Sequence, residues 1–195
     1  MLAIVIVIIV VLLVVLTAAV GFNALVRQRN RTREAWSQID VELKRRHDLI
    51  PNLVHTVKGY AAHESGTFQA VTAARAAAIT AGASADPAAV AGAEHTLTRT
   101  VHSLLAVAEN YPALRAQEGF LALQEQLTAT EDKLEYARRY YNASVRDYNT
   151  AIESFPARLA AAPLGFQPGV FFQSDPSERD APVVDFIAPT RPLAG

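Results

Sequence analysis

The chain begins with an unbroken run of apolar residues and then changes to a mixed pattern with helical spacing. From Leu2 to Val20 it contains no charged residue and consists almost entirely of Ile, Val, Leu and Ala. At about 1.5 Å per residue, a helix of this length crosses a hydrocarbon core of roughly 30 Å. The run therefore predicts a transmembrane anchor over residues 1–22.

A cleaved signal peptide is the alternative interpretation of this run. Such a peptide has a basic start, an apolar segment of roughly 7–15 residues and a small-residue cleavage site. Here no basic side chain precedes the run, the run is longer, and residues 16–20 make a poor cleavage site. We therefore interpret the run as a retained anchor.

Basic residues follow the run closely and predict its orientation. Arg27, Arg29, Arg31 and Arg33 lie just beyond the span, and Lys and Arg beside a span stay on the cytoplasmic side. We expect the N-terminus outside the cell and the remaining residues in the cytoplasm.

The body of the chain has the apolar spacing of amphipathic helices. Apolar residues recur at intervals of three and four from Trp36 to Tyr60, with a gap at Arg46. An alanine-rich helix is predicted next, and Asp86-Pro87 favours the start of a third helix, because it supplies an N-cap followed by proline. We predict that one apolar face of this third helix carries Val90, Leu97, Val101, Leu104 and Ala108.

A heptad repeat in the fourth predicted helix is the strongest periodic signal. Small residues lie between bulky ones that are seven apart, namely Phe120, Leu127, Leu134, Tyr141, Tyr148 and Phe155. Such a seam must be buried against other helices. We predict one helix from Pro112 to Phe155 and an all-α fold, an elongated antiparallel bundle over residues 23–156. The small positions also leave room for coiled-coil contacts between chains.

Residues 157–195 lose the helical pattern and predict a partly extended tail. This tail contains Phe166, Phe171, Phe172 and Phe186, whereas disordered tails have few aromatic residues. We expect part of it to pack on the bundle or on a partner. Its acidic segment, residues 175–185, is also suited to an electrostatic contact with the basic part of the first helix.

Composition excludes several kinds of chemistry. The chain has no cysteine, which rules out disulfides, thiolate nucleophiles and thiolate metal sites. Its net charge is -1, from 18 basic and 19 acidic side chains, so no overall basic field attracts nucleic acid.

The sequence contains no recognisable catalytic constellation. His63-Glu64 begins like a zinc-protease motif, but that motif needs a second histidine where Thr67 stands. Neither a Gly-x-Ser-x-Gly motif nor a phosphate-binding glycine loop occurs. We therefore assign no catalytic, metal-binding or cofactor-binding residue and identify no small-molecule substrate.

One polar cluster beside Pro51, together with the arginines after the anchor, forms a candidate contact surface for lipid head groups or an acidic partner. Its members are Arg27, Arg29, Arg31, Arg33, Lys44, Arg45, Arg46, His47, Asp48 and Asn52. The alternative interpretation is a solvated helix face with the ion pairs Asp40–Lys44 and Glu42–Arg46.

Several stretches of the chain resemble the LemA family. They include the run from Ala35 to Val41, the run from Leu43 to Val54, Tyr141-Asn142 with Tyr148-Asn149-Thr150, and Phe155-Pro156. The resemblance implies a single-span protein of the bacterial plasma membrane, with an outside N-terminus and a cytoplasmic helical bundle. It implies no established activity and no site residues, and it suggests a membrane-bound metalloprotease as a partner.

These observations give three hypotheses of function. The first is a non-enzymatic scaffold or adaptor that forms homo-oligomers or binds membrane proteins. The second is a protein that binds and organises membrane lipid through its basic juxtamembrane helix. The third is an enzyme with a cryptic site built from Arg46, His47 and Asp48.

Overall fold

Helices joined by short turns make up nearly all of the described part of the chain. The computed structural model describes residues 1–84 and 86–173, and no β-strand occurs among them. The helices are α1 (Leu2–Lys58), α2 (Ser65–Gly82), α3 (Pro87–Glu109), α4 (Pro112–Arg115), α5 (Glu118–Glu153) and α6 (Ala157–Ala161). The all-α fold predicted from the sequence is confirmed.

The longest helix, α1, contains both the apolar run and the first amphipathic stripe. It has 57 residues, which is about 85 Å at the standard rise. Residues 2–20 are exposed, whereas from Leu25 onward one face is buried. Near its N-terminus this helix is long and apolar enough to span a membrane. The same helix continues without interruption into the core of the bundle.

A hairpin of α2 and α3 packs on the far half of α1. The Asp86 carboxylate accepts a hydrogen bond from the Ala88 N–H at 3.0 Å, and Pro87 occupies the first helical position. The predicted start of the third helix is therefore confirmed. Its predicted apolar face is also buried, with Val90, Leu97, Val101, Leu104 and Ala108 in the core.

The prediction of one helix from Pro112 to Phe155 is wrong. Helix α4 has only four residues, and the chain turns at Ala116 and Gln117 before α5 begins. The Gln117 side chain accepts a hydrogen bond from the Phe120 N–H at 3.1 Å and so caps the new helix. The heptad pattern could not reveal this break, because α4 ends before the heptad positions begin.

Helix α5 returns along α1, and its heptad positions form much of the buried seam. Phe120, Leu134, Tyr141 and Tyr148 are buried there. Phe155 is the exception, since it lies beyond the end of α5 and is 83% exposed. The antiparallel bundle is elongated, because its main contact is between two long helices, α1 with 57 residues and α5 with 36.

The body from Asn23 to Gln173 is called the rod below, with its base beside the apolar run and its tip near Lys58. After α6 the chain reverses at Gly165, whose φ of 75° is accessible to glycine without steric cost. It then runs back along α5 without helical structure as far as Gln173. The acidic segment 175–185 and the tail residue Phe186 lie outside the described residues.

Candidate functional site

Four ionisable side chains from three helices meet in the rod and form what we call the charged network. Arg46 and His47 come from α1, Glu94 from α3 and Glu131 from α5. The exposed fraction of Arg46 is 4%, and that of Glu94 is 0%. Because a buried charge is costly unless it is paired, the partners of each group decide whether this arrangement is stable.

Glu94 lies at the centre of the network. Its Oε1 lies 2.7 Å from His47 Nε2, and its Oε2 accepts a hydrogen bond from Arg46 Nη1 at 3.4 Å. The same Arg46 nitrogen lies 3.2 Å from Glu131 Oε2, and Arg46 Nη2 donates to Thr98 Oγ1 at 2.8 Å. These contacts fix the packing of α1 against α3 and α5 at one level of the rod.

Arg75 of α2 connects the fourth long helix to the same level. Its Nε donates to the main-chain oxygen of His47 at 2.7 Å. In a regular helix that oxygen accepts a hydrogen bond from the N–H four residues later, but position 51 is proline and has no N–H. Arg75 therefore replaces the donor that Pro51 removes.

The ten residues of the predicted contact surface are divided between the interior and the surface. Arg46 and His47 are buried in the charged network. The remaining members of the cluster beside Pro51 are exposed, namely Lys44, Arg45, Asp48 and Asn52. The ten residues therefore do not form one continuous surface.

The ion pairs of the cluster also differ from those predicted. Lys44 pairs with Asp48 rather than with Asp40, and Arg46 pairs with Glu94 and Glu131 rather than with Glu42. The hydrogen bond from Lys44 lowers the pKa of the Asp48 carboxyl below its usual value. Lys44–Asp48 also has i, i+4 spacing, so spacing alone does not choose between Asp40 and Asp48 as the partner of Lys44. The Arg46 pairs join different helices, and helical spacing does not contain such contacts.

Two of the four arginines after the apolar run contact aromatic rings. The guanidinium carbon of Arg29 lies 5.1 Å from the centre of the Phe166 ring. That of Arg31 lies 5.7 Å from the Tyr140 ring centre, and Arg31 Nε donates to the Tyr140 hydroxyl at 3.4 Å. Arg27 and Arg33 are exposed.

Distance along α1 separates the basic residues into two groups. Measured from Phe22 at about 1.5 Å per residue, Arg27 is about 8 Å and Lys44 about 33 Å up the rod. At physiological ionic strength, electrostatic attraction is largely screened beyond about 8 Å. If α1 spans a membrane up to Phe22, only the group near the base lies close to lipid head groups.

Two asparagines of α5 hold the returning tail, and we call this arrangement the asparagine clasp. Asn149 Nδ2 donates to the Gly169 oxygen at 3.1 Å, and its Oδ1 accepts from the Gly169 N–H at 2.8 Å. Asn142 makes the same pair of bonds with Phe172, at 3.0 and 2.9 Å. Each asparagine thus satisfies both main-chain groups of one tail residue.

The two halves of the clasp have matching spacings. Seven residues separate the asparagines, about 10.5 Å of helix. Gly169 and Phe172 are three residues apart, about 9 Å in a polyproline II chain, in which such residues face the same side. In a β-strand they would face opposite sides. The contacts thus repeat as in polyproline II, and Pro168 favours that conformation because its ring fixes φ.

Tyr141 strengthens the clasp from inside the rod. Its hydroxyl donates to the Val170 oxygen at 2.8 Å, between the two tail residues that the asparagines hold. Burial raises the pKa of the Tyr141 hydroxyl above its usual value. The hydroxyl is therefore kept in the neutral form that donates this bond.

Below the clasp, the chain between α5 and Gly165 exposes apolar side chains beside the base of α1. Phe155, Leu159 and Leu164 are exposed there, with Leu159 at 72%. A groove of about 600 Å³ lies between these residues and the side of α1 from Val10 to Leu25. One wall of this groove therefore belongs to the apolar run itself.

Most of the bundle, the whole charged network and residues 157–186 of the tail fall within the range of a known protein family. The sequence model of the LemA family matches residues 35–186. The chain belongs to the LemA family. A search of curated proteins gives no match to the chain.

The LemA-family match begins at Ala35, which is fully buried in a core cluster with Ile39, Leu134 and Tyr141. It includes Glu94 and both asparagines of the clasp. The apolar run and the arginines from Arg27 to Arg33 precede the matched range. The network and the clasp thus lie in the family region, whereas the α1 wall of the groove does not.

Some site residues of this LemA-family chain were not predicted, although its sequence contains a signal for them. Glu94 lies on the buried face of α3, where a charged residue is unusual. Asn142 and Asn149 are seven apart, and each follows a tyrosine. Arg75 gives no such signal, because its partner is a carbonyl oxygen of another helix.

Proposed function

We propose that this LemA-family chain is a membrane-anchored, non-enzymatic scaffold that holds partner proteins on a rigid rod. The observation that supports this best is the continuity of α1, which extends from an exposed apolar run into a fully packed core. Because no break separates the two parts, a partner bound to the rod would keep a fixed height above the membrane.

In this proposal the anchor crosses the bacterial plasma membrane with the N-terminus outside and the rod in the cytoplasm. The exposed Arg27 and Arg33 near the base support the orientation, since basic residues beside a span favour the cytoplasmic side. The partners we propose are a second copy of the chain and membrane proteins, such as a membrane-bound protease. They include neither nucleic acid nor a small-molecule substrate.

An exposed apolar patch on the rod supports binding of a protein partner. Val41 of α1 and Tyr136 of α5 are largely exposed, with Tyr136 at 66%. They line a groove of about 570 Å³ with Glu42 and Lys133 among its other residues. Exposed apolar side chains with a polar rim are typical of protein–protein contacts.

The native mass of the full-length protein in mild detergent tests the scaffold proposal. A multiple of the 21.1 kDa chain would support homo-oligomers, and a heavier mixed complex would support an adaptor. Replacing Tyr136→Lys should reduce assembly through the patch. Tyr60→Lys, at another exposed tyrosine near the tip, is the matched control. A protein that is monomeric and without partners would contradict the proposal.

A lipid-organising role is the second candidate, and the exposed arginines near the base favour it. Protein extracted with its native lipids should then carry more anionic lipid than the bulk membrane contains. The double variant Arg27→Gln, Arg33→Gln should remove this excess, whereas Arg45→Gln, far up the rod, should not. Equal lipid composition with and without the two arginines would rule the role out.

An enzyme built on Arg46, His47 and Asp48 is the least supported candidate. Arg46 and His47 are buried and paired with Glu94, whereas Asp48 is exposed and pairs with Lys44. The three side chains therefore do not converge on one open site.

A further inference from the structure

The segment between α5 and Gly165, residues 154–164, has apolar side chains exposed beside the base of α1, and we call it the apolar turn. Phe155 and Leu159 are more than two-thirds exposed, and Leu164 is about half exposed. Removing large apolar side chains of this kind from water is favourable, roughly in proportion to the apolar area that is covered. When several such residues lie together on a surface, they mark a contact with a protein, a membrane or a ligand.

The position of the apolar turn identifies which of these contacts it makes. The groove beside it is lined on the other side by Val10, Leu13 and Thr17 of the apolar run. These α1 residues lie within the proposed membrane span. Whatever surrounds this part of α1 therefore also surrounds the side chains that face it across the groove.

The groove extends deep along the proposed span. From Phe22 to Leu13 the helix rises about 14 Å. The hydrocarbon layer of one leaflet is about 15 Å thick, half of the bilayer core. A turn that shares a groove with Leu13 is therefore level with the acyl chains rather than with the head groups.

The apolar turn is attached firmly to the rod, so its depth is set by the fold. Phe166, directly after the reversal at Gly165, is buried and packs edge-on against Phe22 with ring centres 5.7 Å apart. It belongs to a core cluster with Leu25, Tyr148 and Ile152. This cluster holds both ends of the turn against α1.

We propose that the apolar turn, unlike the rest of the rod, is inserted into the same membrane leaflet as the base of the anchor, and that a lipid acyl chain fills the groove between them. This inference rests on the membrane anchoring proposed above. Arg158, exposed in α6, fits such a position because its long side chain can extend toward the head groups while its stem stays in the apolar layer.

A lipid chain is a better occupant than a second copy of the protein. Inside hydrocarbon, apolar surfaces gain little by leaving lipid for protein, so packing of small residues or polar bonds must drive association. The turn instead presents large side chains, Phe155 and Leu159, next to an open groove. Flexible acyl chains fill such an irregular space without a complementary protein surface.

Single-cysteine labelling of the full-length protein tests the inference directly, because the chain has no cysteine of its own. Leu159→Cys is labelled with an environment-sensitive nitrobenzoxadiazole dye, and the protein is reconstituted in vesicles of phosphatidylcholine and phosphatidylglycerol. Quenching is measured with lipids that carry a nitroxide on the acyl chain. The Leu159 probe should lose at least half as much fluorescence as a probe at Leu12 in the anchor.

Three further positions make the result decisive. A probe at the exposed Glu125 on the rod should be quenched by aqueous iodide and not by the nitroxide lipids. A quenched Leu12 probe with an iodide-accessible Leu159 probe would overturn insertion of the turn while leaving the anchor intact. An unquenched Leu12 probe would contradict the anchor itself. Leu164→Cys serves as the second site in the turn if Leu159→Cys does not fold.

A second copy as the occupant gives a different result. The Leu159 probe would then be shielded from iodide but not quenched by the nitroxide lipids, and the shielding would disappear when the protein is diluted into excess lipid. This result would also overturn the proposed lipid occupant.

Discussion

At the scale of single residues, Pro51 of α1 and Arg75 of α2 are coupled through the carbonyl oxygen of His47. A proline in a helix interior costs roughly 3 kcal/mol, partly because one carbonyl loses its donor. Here that carbonyl, of His47, accepts from Arg75 Nε. The guanidinium of Arg75 therefore does for α1 what a main-chain N–H does elsewhere.

This pairing predicts that the effects of the two residues on stability depend on each other. Arg75→Ala should lower the free energy of unfolding by about 1–2 kcal/mol, because a carbonyl is left without a donor. In a Pro51→Ala background the loss should be smaller, since residue 51 then supplies its own N–H. Chemical denaturation of the four proteins in a double-mutant cycle measures the difference. Additive effects would show that Arg75 does not serve the His47 carbonyl.

Glu94 is the residue on which the charged network depends most. Glu94→Gln should lower the free energy of unfolding by about 3–5 kcal/mol, because Arg46 then keeps its charge in a buried site without its central partner. Asp48→Asn is the control, since Asp48 pairs with Lys44 on the surface. Thermal unfolding should show a large drop for the first variant and little change for the second. Equal melting temperatures would mean that Arg46 is adequately paired without Glu94.

Tyr141 gives a pH dependence with a defined sign. Burial raises its pKa in the folded protein above the usual 10.0, so its contribution to stability is complete below that pH. The contribution is lost as the pH rises toward the higher folded-state pKa.

Tyr141→Phe should therefore be less stable by about 1 kcal/mol at neutral pH. The difference from the wild type should shrink above pH 10. Urea unfolding from pH 8 to pH 11 measures it, with the exposed Tyr136→Phe as control; a constant difference would contradict the assignment.

At the scale of elements, the sequence predicts those features that depend on neighbouring residues. The Asp86-Pro87 cap and the buried stripes of α3 and α5 are local patterns, and the structure confirms them. The break between α4 and α5 is not predicted, because the cap at Gln117 is not among the preferred N-cap residues. Arg46 occupies a position of the first stripe where an apolar residue is expected, and this position indicates that its side chain is buried. The pairing that this burial requires is with Glu94, which is 48 residues away.

The asparagine clasp predicts how the tail responds to a change in α5. Asn142→Ala removes both hydrogen bonds to Phe172, a loss of about 1–3 kcal/mol. The Phe172 amide should then exchange with deuterium roughly ten- to a hundredfold faster. Mass spectrometry of peptides from the tail measures this, and Asn30→Ala, at an exposed asparagine of α1, is the control. Unchanged exchange at Phe172 would show that packing alone holds the tail.

At the scale of the whole molecule, if α1 spans the membrane up to Phe22 as proposed above, this unbroken helix determines how far the rod extends from the membrane. From Phe22 to Lys58 the helix rises about 54 Å. Membrane helices tilt by about 20° on average, which leaves a height of about 50 Å. The tip of the rod is therefore too far away for electrostatic contact with lipid head groups.

Energy transfer in vesicles measures this height. A donor dye on His63→Cys, beside the tip, should transfer little energy to acceptor dyes on the lipid head groups. A donor on Asn30→Cys, about 12 Å above Phe22 along α1, should transfer most of its energy. Both positions are exposed, so the labels should not disturb the core. Strong transfer from both positions would mean that the rod lies on the membrane surface.

The matched spacings of the asparagine clasp allow the tail only one alignment with α5. Seven residues of α5 and three of the tail cover nearly the same distance, so donors and acceptors coincide only at that interval. A shift of the tail by one residue would misalign both asparagines together and move Phe166 and Phe172 out of their pockets. A one-residue deletion between Gly165 and Gly169 should therefore break the hydrogen bonds of both asparagines at once, so that no part of the tail stays bound to α5. The position of Gln173 along α5 is thus fixed by the same hydrogen bonds.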